Sequence, residues 1–209
     1  MTDFSGLTLD GFLGALSSDA PTPGGGTAAA VAGAMGAALA DMVSALTLSK
    51  EKYAASHEAM RPIAEAAQLA RTEFLALARE DSEAYDDVVG ARRLPKETDE
   101  QKTARAHKIA VANLRAAEVP MRTARAAVRL LAALPELAEK GNPNAVSDVG
   151  AAALLLDACI EGALLNVGIN LPGIEDARFV SEMQRETAVL QGESQRLRSQ
   201  VVALVRKRF

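Results

Sequence analysis

Apolar residues recur along this chain of 209 residues with the three- and four-residue spacing of amphipathic helices, and no alternating strand pattern of useful length interrupts them. Segments rich in proline and glycine end the periodic runs. Thr98 and Gln101 have the spacing of a capping box, and Ser147 is expected to cap the helix that follows it. The helices that this pattern predicts cover residues 7–17, 27–49, 58–89, 98–140 with a bend or restart at Pro120, 148–167 and 176–206.

These helices predict one all-α domain over residues 1–209, built as an up-and-down bundle of long helices. Apolar residues make up 49% of the chain and aromatic residues only 3%, so small side chains, mainly alanine, must fill the core. Small side chains let helix backbones approach closely, but each one buries little apolar area. We therefore expect additional burial in an oligomer interface.

The charges indicate which partners the chain lacks. The net charge of −4 is scattered and forms no basic stripe, so no nucleic acid partner is expected. The first residues lack the basic and apolar regions of a secretory signal, and residues 20–40 are too weakly hydrophobic for a convincing membrane span. We expect a soluble, cytoplasmic protein without a membrane partner.

Cys159 lies in an apolar run and is expected to be a buried small hydrophobe.

A run of three glycines precedes the second predicted helix, in the segment Pro21–Gly26. Glycines let backbone amides approach a ligand, and a helix N-terminus favours negative groups. The run lacks the Gly-Lys-Ser/Thr sequence of a phosphate-binding P-loop. From the residues alone, it is either a ligand-binding loop or a flexible connector.

Asp81 lies out of phase with the acidic residues around it. Glu73, Glu80, Glu83 and Asp87 form a polar stripe that is expected to be solvated, whereas Asp81 falls on the apolar stripe of the same helix. Desolvation of an inward carboxylate is costly and raises its pKa. Asp81 is therefore either a general acid–base group or a structural partner of an arginine across the bundle. The residues that form this apolar stripe lie three, four and seven positions before and after Asp81: Phe74, Leu77, Ala78, Ala84, Tyr85 and Val88.

Further polar residues have two interpretations each. Asn142, Asn144 and Asp148 either bind a ligand or cap and stabilise the start of a helix. Asn166 and Asn170 either face a ligand or end the helix that contains them. Asp41 and Asp157, each inside an apolar helix, are expected to form structural pairs.

No metal site is predicted, because the two histidines, His57 and His107, are far apart and lack companion ligands at short spacing. Both are expected on the surface.

The motifs together resemble the cyclodeaminase/cyclohydrolase family of folate enzymes, in the family's order, with similar spacing and over nearly the whole chain. The stretches that carry the resemblance begin at Pro21 (PTPGGGTAAA), Gly33 (GAMGAAL), Asp81 (DSEAY), Arg93 (RLPK), Gly141 (GNPNAVSD) and Asn166 (NVGIN). The resemblance implies an all-α subunit that forms a homodimer, with a folate site in a groove at the glycine-rich loop. It implies that Asp81 is the catalytic aspartate.

Loop position suggests which residues contact the folate substrate that the resemblance implies. Gly24, Gly25 and Gly26, together with Pro23 of the same loop, would let the pterin or its linker approach the backbone. Asn142, Asn144, Asp148 and Asn166 would hydrogen-bond the pterin, and Lys50 and Lys96 would meet the glutamate tail.

The expected activity is that of a methenyltetrahydrofolate cyclohydrolase, which needs no prosthetic group and uses a tetrahydrofolate derivative as its substrate. The alternative in the same family is formiminotetrahydrofolate cyclodeaminase, which usually forms the C-terminal half of a bifunctional enzyme. The 209 residues leave no room for a formiminotransferase domain, which favours the cyclohydrolase. A third possibility is a non-catalytic folate-binding or helical assembly subunit.

Overall fold

The computed structural model describes residues 6–208, and within this range it contains helices and no β-strand. The all-α prediction is therefore confirmed. Short 3₁₀ turns connect some of the helices at Glu51–Ser56, Pro143–Ala145 and Leu171–Gly173. The α-helices are α1 (Leu9–Leu16), α2 (Gly25–Leu48), α3 (His57–Arg92), α4 (Asp99–Leu131), α5 (Leu134–Lys140), α6 (Val146–Asn170) and α7 (Ala177–Arg206).

Most helix boundaries agree with the sequence pattern, and the capping box at Thr98 and Gln101 is present. Ser147 does not cap α6, so that prediction was wrong. The helix begins at Val146, directly after the 3₁₀ turn Pro143–Ala145. The side chain of Asn142 caps this turn by accepting a hydrogen bond from the backbone N–H of Asn144.

Pro120 lies inside α4 without ending the helix, and the break occurs later, between α4 and α5. A proline within a helix leaves the carbonyl four residues earlier without its usual donor. Here that carbonyl belongs to Ala116, and the side-chain Nδ2 of Asn170 donates to it at 2.8 Å. A contact from α6 therefore replaces the hydrogen bond that Pro120 removes. The predicted restart at Pro120 was wrong because this long-range donor is not visible in the local sequence.

The core is organised around α2, which packs antiparallel against both α3 and α6. Glycines allow the close approach of α2 and α6. A Cβ atom at Gly33 would lie 2.8 Å from Cys159 Sγ and 2.9 Å from the ring of Phe74, and one at Gly36 would lie 2.9 Å from Leu156 Cγ. Cys159 is fully buried, as predicted, and desolvation raises the pKa of its thiol to about 12. The α2–α6 contact is thus built from backbones and very small side chains.

The acidic stripe on α3 is an interhelical ion-pair ladder, which corrects the prediction of a merely solvated face. Arginines of the antiparallel helix α4 face the acidic residues at intervals of one heptad. The pairs are Glu73 with Arg129 at 2.9 Å, Glu80 with Arg122 at 2.5 Å, and both Glu83 (3.2 Å) and Asp87 with Arg115. These side chains are partly exposed, so each pair contributes about 0–1 kcal/mol and the ladder mainly aligns α3 with α4.

Asp41 and Asp157, each inside an apolar helix, make the structural contacts expected of them. Asp157 accepts a hydrogen bond from Ser194 at 2.8 Å and forms an ion pair with Arg198 across to α7. Asp41 accepts a hydrogen bond from the neutral side chain of Gln68 on α3, at 3.0 Å.

Two helices, α2 and the segment around α6, are long and apolar enough to cross a membrane by length and composition, which corrects the expectation that residues 20–40 are too weakly hydrophobic for a span. About half of the most apolar window of each is buried inside the bundle (50% and 44%), which is typical of core helices in a helical domain.

Substitutions of two glycines test the close α2–α6 contact. We expect Gly33→Ala to lower the free energy of unfolding by about 1–3 kcal/mol, because the new methyl group overlaps buried atoms. The matched control is Gly192→Ala on α7, where nothing lies within 4 Å of the added Cβ. That change should raise the free energy of unfolding by about 0.5–1 kcal/mol, since alanine is the better helix former. Urea denaturation measures both values, and equal effects of the two substitutions would contradict the packing argument.

Candidate active site

The carboxylate of Asp81 lies against the first turn of α2. The hydroxyl of Thr27 donates a hydrogen bond to Asp81 Oδ2 at 2.9 Å, and the same hydroxyl lies 3.1 Å from the hydroxyl of Ser82. Thr27 is fully buried, and Ser82 is also buried. No ion pair involving Asp81 occurs within residues 6–208. The structure therefore excludes the alternative in which Asp81 is an arginine's structural partner in the described part of the chain.

The surroundings of Asp81 favour its protonated form. Burial raises the pKa of the Asp81 carboxyl above its ordinary value, and the hydroxyl and backbone amide of Thr27 oppose this effect without cancelling it. The positive end of the α2 dipole also favours the ionised form. The result is a carboxyl group whose pKa lies closer to neutrality than that of an exposed aspartate, as the sequence pattern predicted. Such a group can both accept and return a proton.

Gly26 leaves the space that the carboxylate of Asp81 occupies. A Cβ atom at this position would lie 2.3 Å from Asp81 Oδ1 and 2.7 Å from Oδ2, which is an impossible contact. Gly25 faces a different side chain, because its Cβ would lie 3.4 Å from Nδ2 of Asn166 on α6. The glycine-rich segment is thus a structural part of the site, where the start of α2 fits between α3 and α6.

Asp81 opens onto a pocket of about 350 Å³ between the glycine-rich loop, α3, α4 and α6. This volume lies at the lower end of the range for small-molecule sites. Asp81 is the one carboxylate and Arg92 the one cationic side chain among the described residues that line it. The remaining lining combines glycine backbone and apolar side chains with polar groups from Thr22, Tyr85, Asn166 and Asn170.

The two asparagines of α6 are held in place by hydrogen bonds to backbone carbonyls. Asn166 Nδ2 donates to the carbonyl of Gly162 at 2.8 Å. Asn170 Nδ2 donates to the carbonyls of Ala116 and Asn166, at 2.8 and 2.9 Å. Both amide nitrogens therefore have protein partners, and within the described residues no hydrogen bond is made to either Oδ1. These carbonyl oxygens are acceptors suited to the N–H groups of a heterocyclic ligand.

The structure brings together part of the predicted site and separates the rest. Gly24, Gly25, Gly26 and Asn166 line the pocket with Asp81. Pro23 of the same loop is buried and does not line the pocket.

Lys50, Asn142 and Asn144 lie at the opposite end of α2, where the backbone N–H of Asn142 donates to Thr47 Oγ1 at 2.9 Å. With a helical rise of about 1.5 Å per residue, this end is about 30 Å from Gly26. Asp148 lies in the first turn of α6, also far from Asp81, because the other end of α6 meets Gly25. Lys96 is an exposed residue of the loop between α3 and α4. The ligand-binding roles of all these residues remain predictions.

Three residues of the site, Thr27, Tyr85 and Arg92, were not predicted as site residues from the sequence. Tyr85 and Arg92 follow Asp81 by four and eleven residues, which places all three on one face of α3. This periodicity was available in the sequence and identifies the pocket side of the helix. Thr27 gave no local signal, because its hydrogen bond to Asp81 joins residues 54 positions apart.

The fold and the site define the class of protein: an all-α bundle with one desolvated carboxyl group at a glycine-rich helix start, arranged for acid–base chemistry on a small ligand. A sequence profile described as formiminotransferase-cyclodeaminase matches residues 8–189. The chain therefore belongs to the formiminotransferase-cyclodeaminase family.

Individual relatives include two kinds of enzyme. The chain is 40% identical to the methenyltetrahydrofolate cyclohydrolase of Methylorubrum extorquens over 201 aligned residues. The aligned region covers 96% of this chain and 97% of that protein. It is 33% identical to the formimidoyltransferase-cyclodeaminase of Gallus gallus, over 96% of this chain but only 37% of that longer protein. The crystal structure of formiminotetrahydrofolate cyclodeaminase from Thermotoga maritima superimposes with a TM-score of 0.87 and 32% identity, covering 97% of this chain and 98% of that one.

The hydrogen bond from Thr27 gives a prediction for the titration of Asp81. Replacing Thr27 by valine removes the donor that favours the ionised carboxylate, so the pKa of Asp81 should rise further. Thr27→Ser keeps the hydroxyl and should leave the pKa near that of the unaltered protein. Carboxyl ¹³C NMR titration of protein labelled at aspartate measures both. An unchanged or lower pKa in Thr27→Val would show that the hydroxyl does not act on Asp81.

Proposed function

We propose that the chain is a methenyltetrahydrofolate cyclohydrolase, which hydrolyses 5,10-methenyltetrahydrofolate to 10-formyltetrahydrofolate. The observation that carries the proposal is the Asp81 carboxyl group, whose pKa is raised by burial and which opens onto a pocket of ligand size. Similarity over nearly the full length to a protein with that activity supports the choice of reaction.

The substrate is already a cationic amidinium, so its bridging carbon is electrophilic before it binds. Ionised Asp81 accepts a proton as water adds to this carbon, and the product is a neutral tetrahedral adduct beside a protonated carboxyl group. Protonated Asp81 then donates to N5, the bond between carbon and N5 breaks, and the formyl group stays on N10. The hydroxyl proton of the adduct leaves to water, so hydrolysis releases one proton overall.

The electrostatics of the pocket suit both steps. Above its raised pKa, Asp81 is ionised and stabilises the cationic substrate in surroundings of low polarity. As the substrate charge disappears on water addition, the same burial favours the protonated carboxyl group. We propose that the carbonyl oxygens of Asn166 and Asn170 orient the pterin and that the backbone at Gly24–Gly26 allows its close approach.

A second candidate is formiminotetrahydrofolate cyclodeaminase, supported by the similarity to the Thermotoga maritima enzyme over nearly all of both chains. In that reaction N10 attacks the formimino carbon, and Asp81 protonates the former imino nitrogen, which then leaves as ammonia. The same carboxyl group serves either reaction, but the nucleophile (water or N10) and the leaving nitrogen (N5 or ammonia) both differ.

We further propose that the protein acts in the cytoplasm as a homodimer. Support for a dimer comes from large apolar side chains exposed on one side of α2 and α6. The expectation that no prosthetic group is required also remains a prediction.

Hydrolysis is tested by the loss of the near-ultraviolet absorbance of 5,10-methenyltetrahydrofolate. The protein should accelerate this loss over buffer, and Asp81→Asn should reduce turnover about 10²-fold or more, because the proton acceptor is gone. The control is Asp86→Asn, which makes the same change on an exposed residue of α3. If the absorbance decays at the buffer rate while the formimino substrate releases ammonia, the cyclodeaminase is the correct assignment.

The stability of Asp81→Asn separates loss of chemistry from loss of fold. Because the pKa of Asp81 is raised on folding, wild-type stability falls as the pH rises through that pKa. At neutral pH, Asp81→Asn should therefore unfold at a temperature no lower than the wild type. An inactive variant that is also unfolded would carry no information on catalysis, and circular dichroism checks this directly.

A further inference from the structure

Four residues of α3 line the pocket in a row along one side of the helix. They are Asp81, Tyr85, Val88 and Arg92, and they follow one another at intervals of four, three and four residues. This spacing keeps all four side chains on one face of an α-helix. We call them the pocket row. The pocket row begins with a carboxylate, continues with an aromatic ring and a branched apolar side chain, and ends with a guanidinium group.

Arg92 makes no ion pair within residues 6–208, unlike the arginines of α4 that pair with the acidic residues of α3. Its side chain is exposed and lines the pocket. A guanidinium group presents its N–H donors in a planar fork that matches the two oxygens of a carboxylate. A carboxylate on a ligand in this pocket therefore has a suitable charged partner at the Arg92 end.

The backbone at this end of α3 is also prepared for a negative group. The last carbonyl groups of a helix carry partial negative charge, which would oppose a carboxylate. Here the carbonyl oxygen of Arg92 accepts two hydrogen bonds from the side chain of Arg105, from Nε at 3.3 Å and from Nη2 at 3.0 Å. A second guanidinium group thus offsets the partial charge where α3 ends. The pocket row is consequently negative at Asp81 and positive at Arg92.

The proposed substrate carries the opposite order of charges. Its amidinium group is cationic, a benzoyl ring is attached to N10, and the glutamate beyond the ring ends in carboxylates. When the amidinium lies at Asp81, the ring lies at Tyr85 and Val88, and the carboxylates lie at Arg92. Each charged group then meets its opposite, and the ring meets an aromatic and an apolar side chain. The reverse orientation would bring like charges together at both ends.

The length of the pocket row agrees with that of the substrate. Arg92 lies about 16 Å from Asp81 along the axis of α3. The span from N10 to the nearer glutamate carboxylate is roughly 10 Å with ordinary bond lengths. Side chains on a helix lean toward its N-terminus, so Arg92 reaches back toward Asp81 and covers the remaining distance. We propose that Arg92 binds a glutamate carboxylate of the folate and thereby holds the substrate along α3. This proposal rests on the proposed hydrolysis of a folate and deepens it.

Arg92 takes the role that the sequence suggested for Lys50 and Lys96. Lys50 lies at the opposite end of α2, about 30 Å from Gly26. Lys96 is in the exposed loop after α3 and does not line the pocket. Arg92 combines a position on the pocket row with a positive charge. Because it is remote from the reacting carbon, it determines which substrate binds and takes no part in proton transfer.

Truncation of the substrate tests the carboxylate contact. One substrate is 5,10-methenyltetrahydrofolate, and the other is an analogue in which methylamine replaces the glutamate, so that the benzoyl amide remains and both carboxylates are gone. Arg92→Gln should lower kcat/KM for the full substrate about tenfold or more, mainly through KM, because a charge-assisted hydrogen bond is lost far from the reacting carbon. For the truncated substrate, Arg92→Gln and the wild type should agree within about twofold. Arg92→Lys keeps the charge and should recover part of the loss on the full substrate.

Arg93→Gln is the matched control. Arg93 is the next residue and is also exposed at the end of α3, but it does not line the pocket. Its substitution should keep the wild-type kcat/KM for both substrates. Asp81→Asn should instead lower kcat for both substrates by similar factors, because Asp81 acts at the reacting carbon. The pH dependence of kcat in Arg92→Gln should match that of the wild type, since the two residues form no ion pair in the described structure.

Three results would overturn the assignment of Arg92. The first is an equal loss of kcat/KM by Arg92→Gln on both substrates, which would show a structural role. The second is a wild-type kcat/KM of Arg92→Gln for the full substrate. The third is a glutamate-dependent loss in Lys96→Gln and none in Arg92→Gln, which would place the tail in the loop after α3.

A binding measurement separates this proposal from the proposed function. Calorimetry with 5-formyltetrahydrofolate, a stable reduced folate with the same glutamate, reports the contact without turnover. The Kd should rise about tenfold in Arg92→Gln and stay at the wild-type value in Arg93→Gln. An unchanged Kd in Arg92→Gln would refute the contact even if the wild type hydrolyses 5,10-methenyltetrahydrofolate. If the affinity depends on Arg92 but the wild type hydrolyses nothing, the carboxylate contact stands and the proposed function fails.

Discussion

The close packing of α2 against α3 and α6 is the constraint on which the rest of this structure depends. The glycines of α2 let neighbouring side chains and backbone approach to distances that a Cβ atom would prevent. At Gly33 and Gly36 this closeness builds the core, and at Gly26 it admits the carboxylate of Asp81. The small size of glycine therefore allows close packing along α2 and leaves room for a carboxylate at its start.

At the site, burial destabilises the ionised form of Asp81, and a hydrogen bond partly stabilises it. Burial of Asp81 disfavours its charged form, and the Thr27 hydroxyl returns some of that stability without an ion pair among the described residues. A paired arginine would have favoured the ionised carboxylate and lowered its pKa. The arginines of α4 instead pair with the acidic residues on a different face of α3. Two faces of one helix thus keep a structural set of carboxylates apart from the one that lines the pocket.

Contacts between distant segments also decide where backbone groups find their partners. Asn170 donates to the Ala116 carbonyl that Pro120 leaves without a donor, and this allows α4 to continue past the pocket. The same asparagine lines the pocket with its amide. A residue that maintains α4 is therefore also part of the surface available to a ligand, so the geometry of the pocket is coupled to the continuity of α4.

The sequence by itself determined the all-α fold, most helix boundaries and the exceptional position of Asp81, because helical periodicity and capping are encoded within a few residues. It also offered the glycine-rich segment and Asn166 as ligand-binding candidates, and these residues line the pocket with Asp81. It could not reveal Thr27 as the partner of Asp81, Asn170 as the donor that spans Pro120, or the α4 arginines as partners of the acidic stripe. It also grouped Lys50, Asn142 and Asn144 with residues about 30 Å away. These features join segments far apart in the chain, and only the packing of α2 between α3 and α6 fixes their distances.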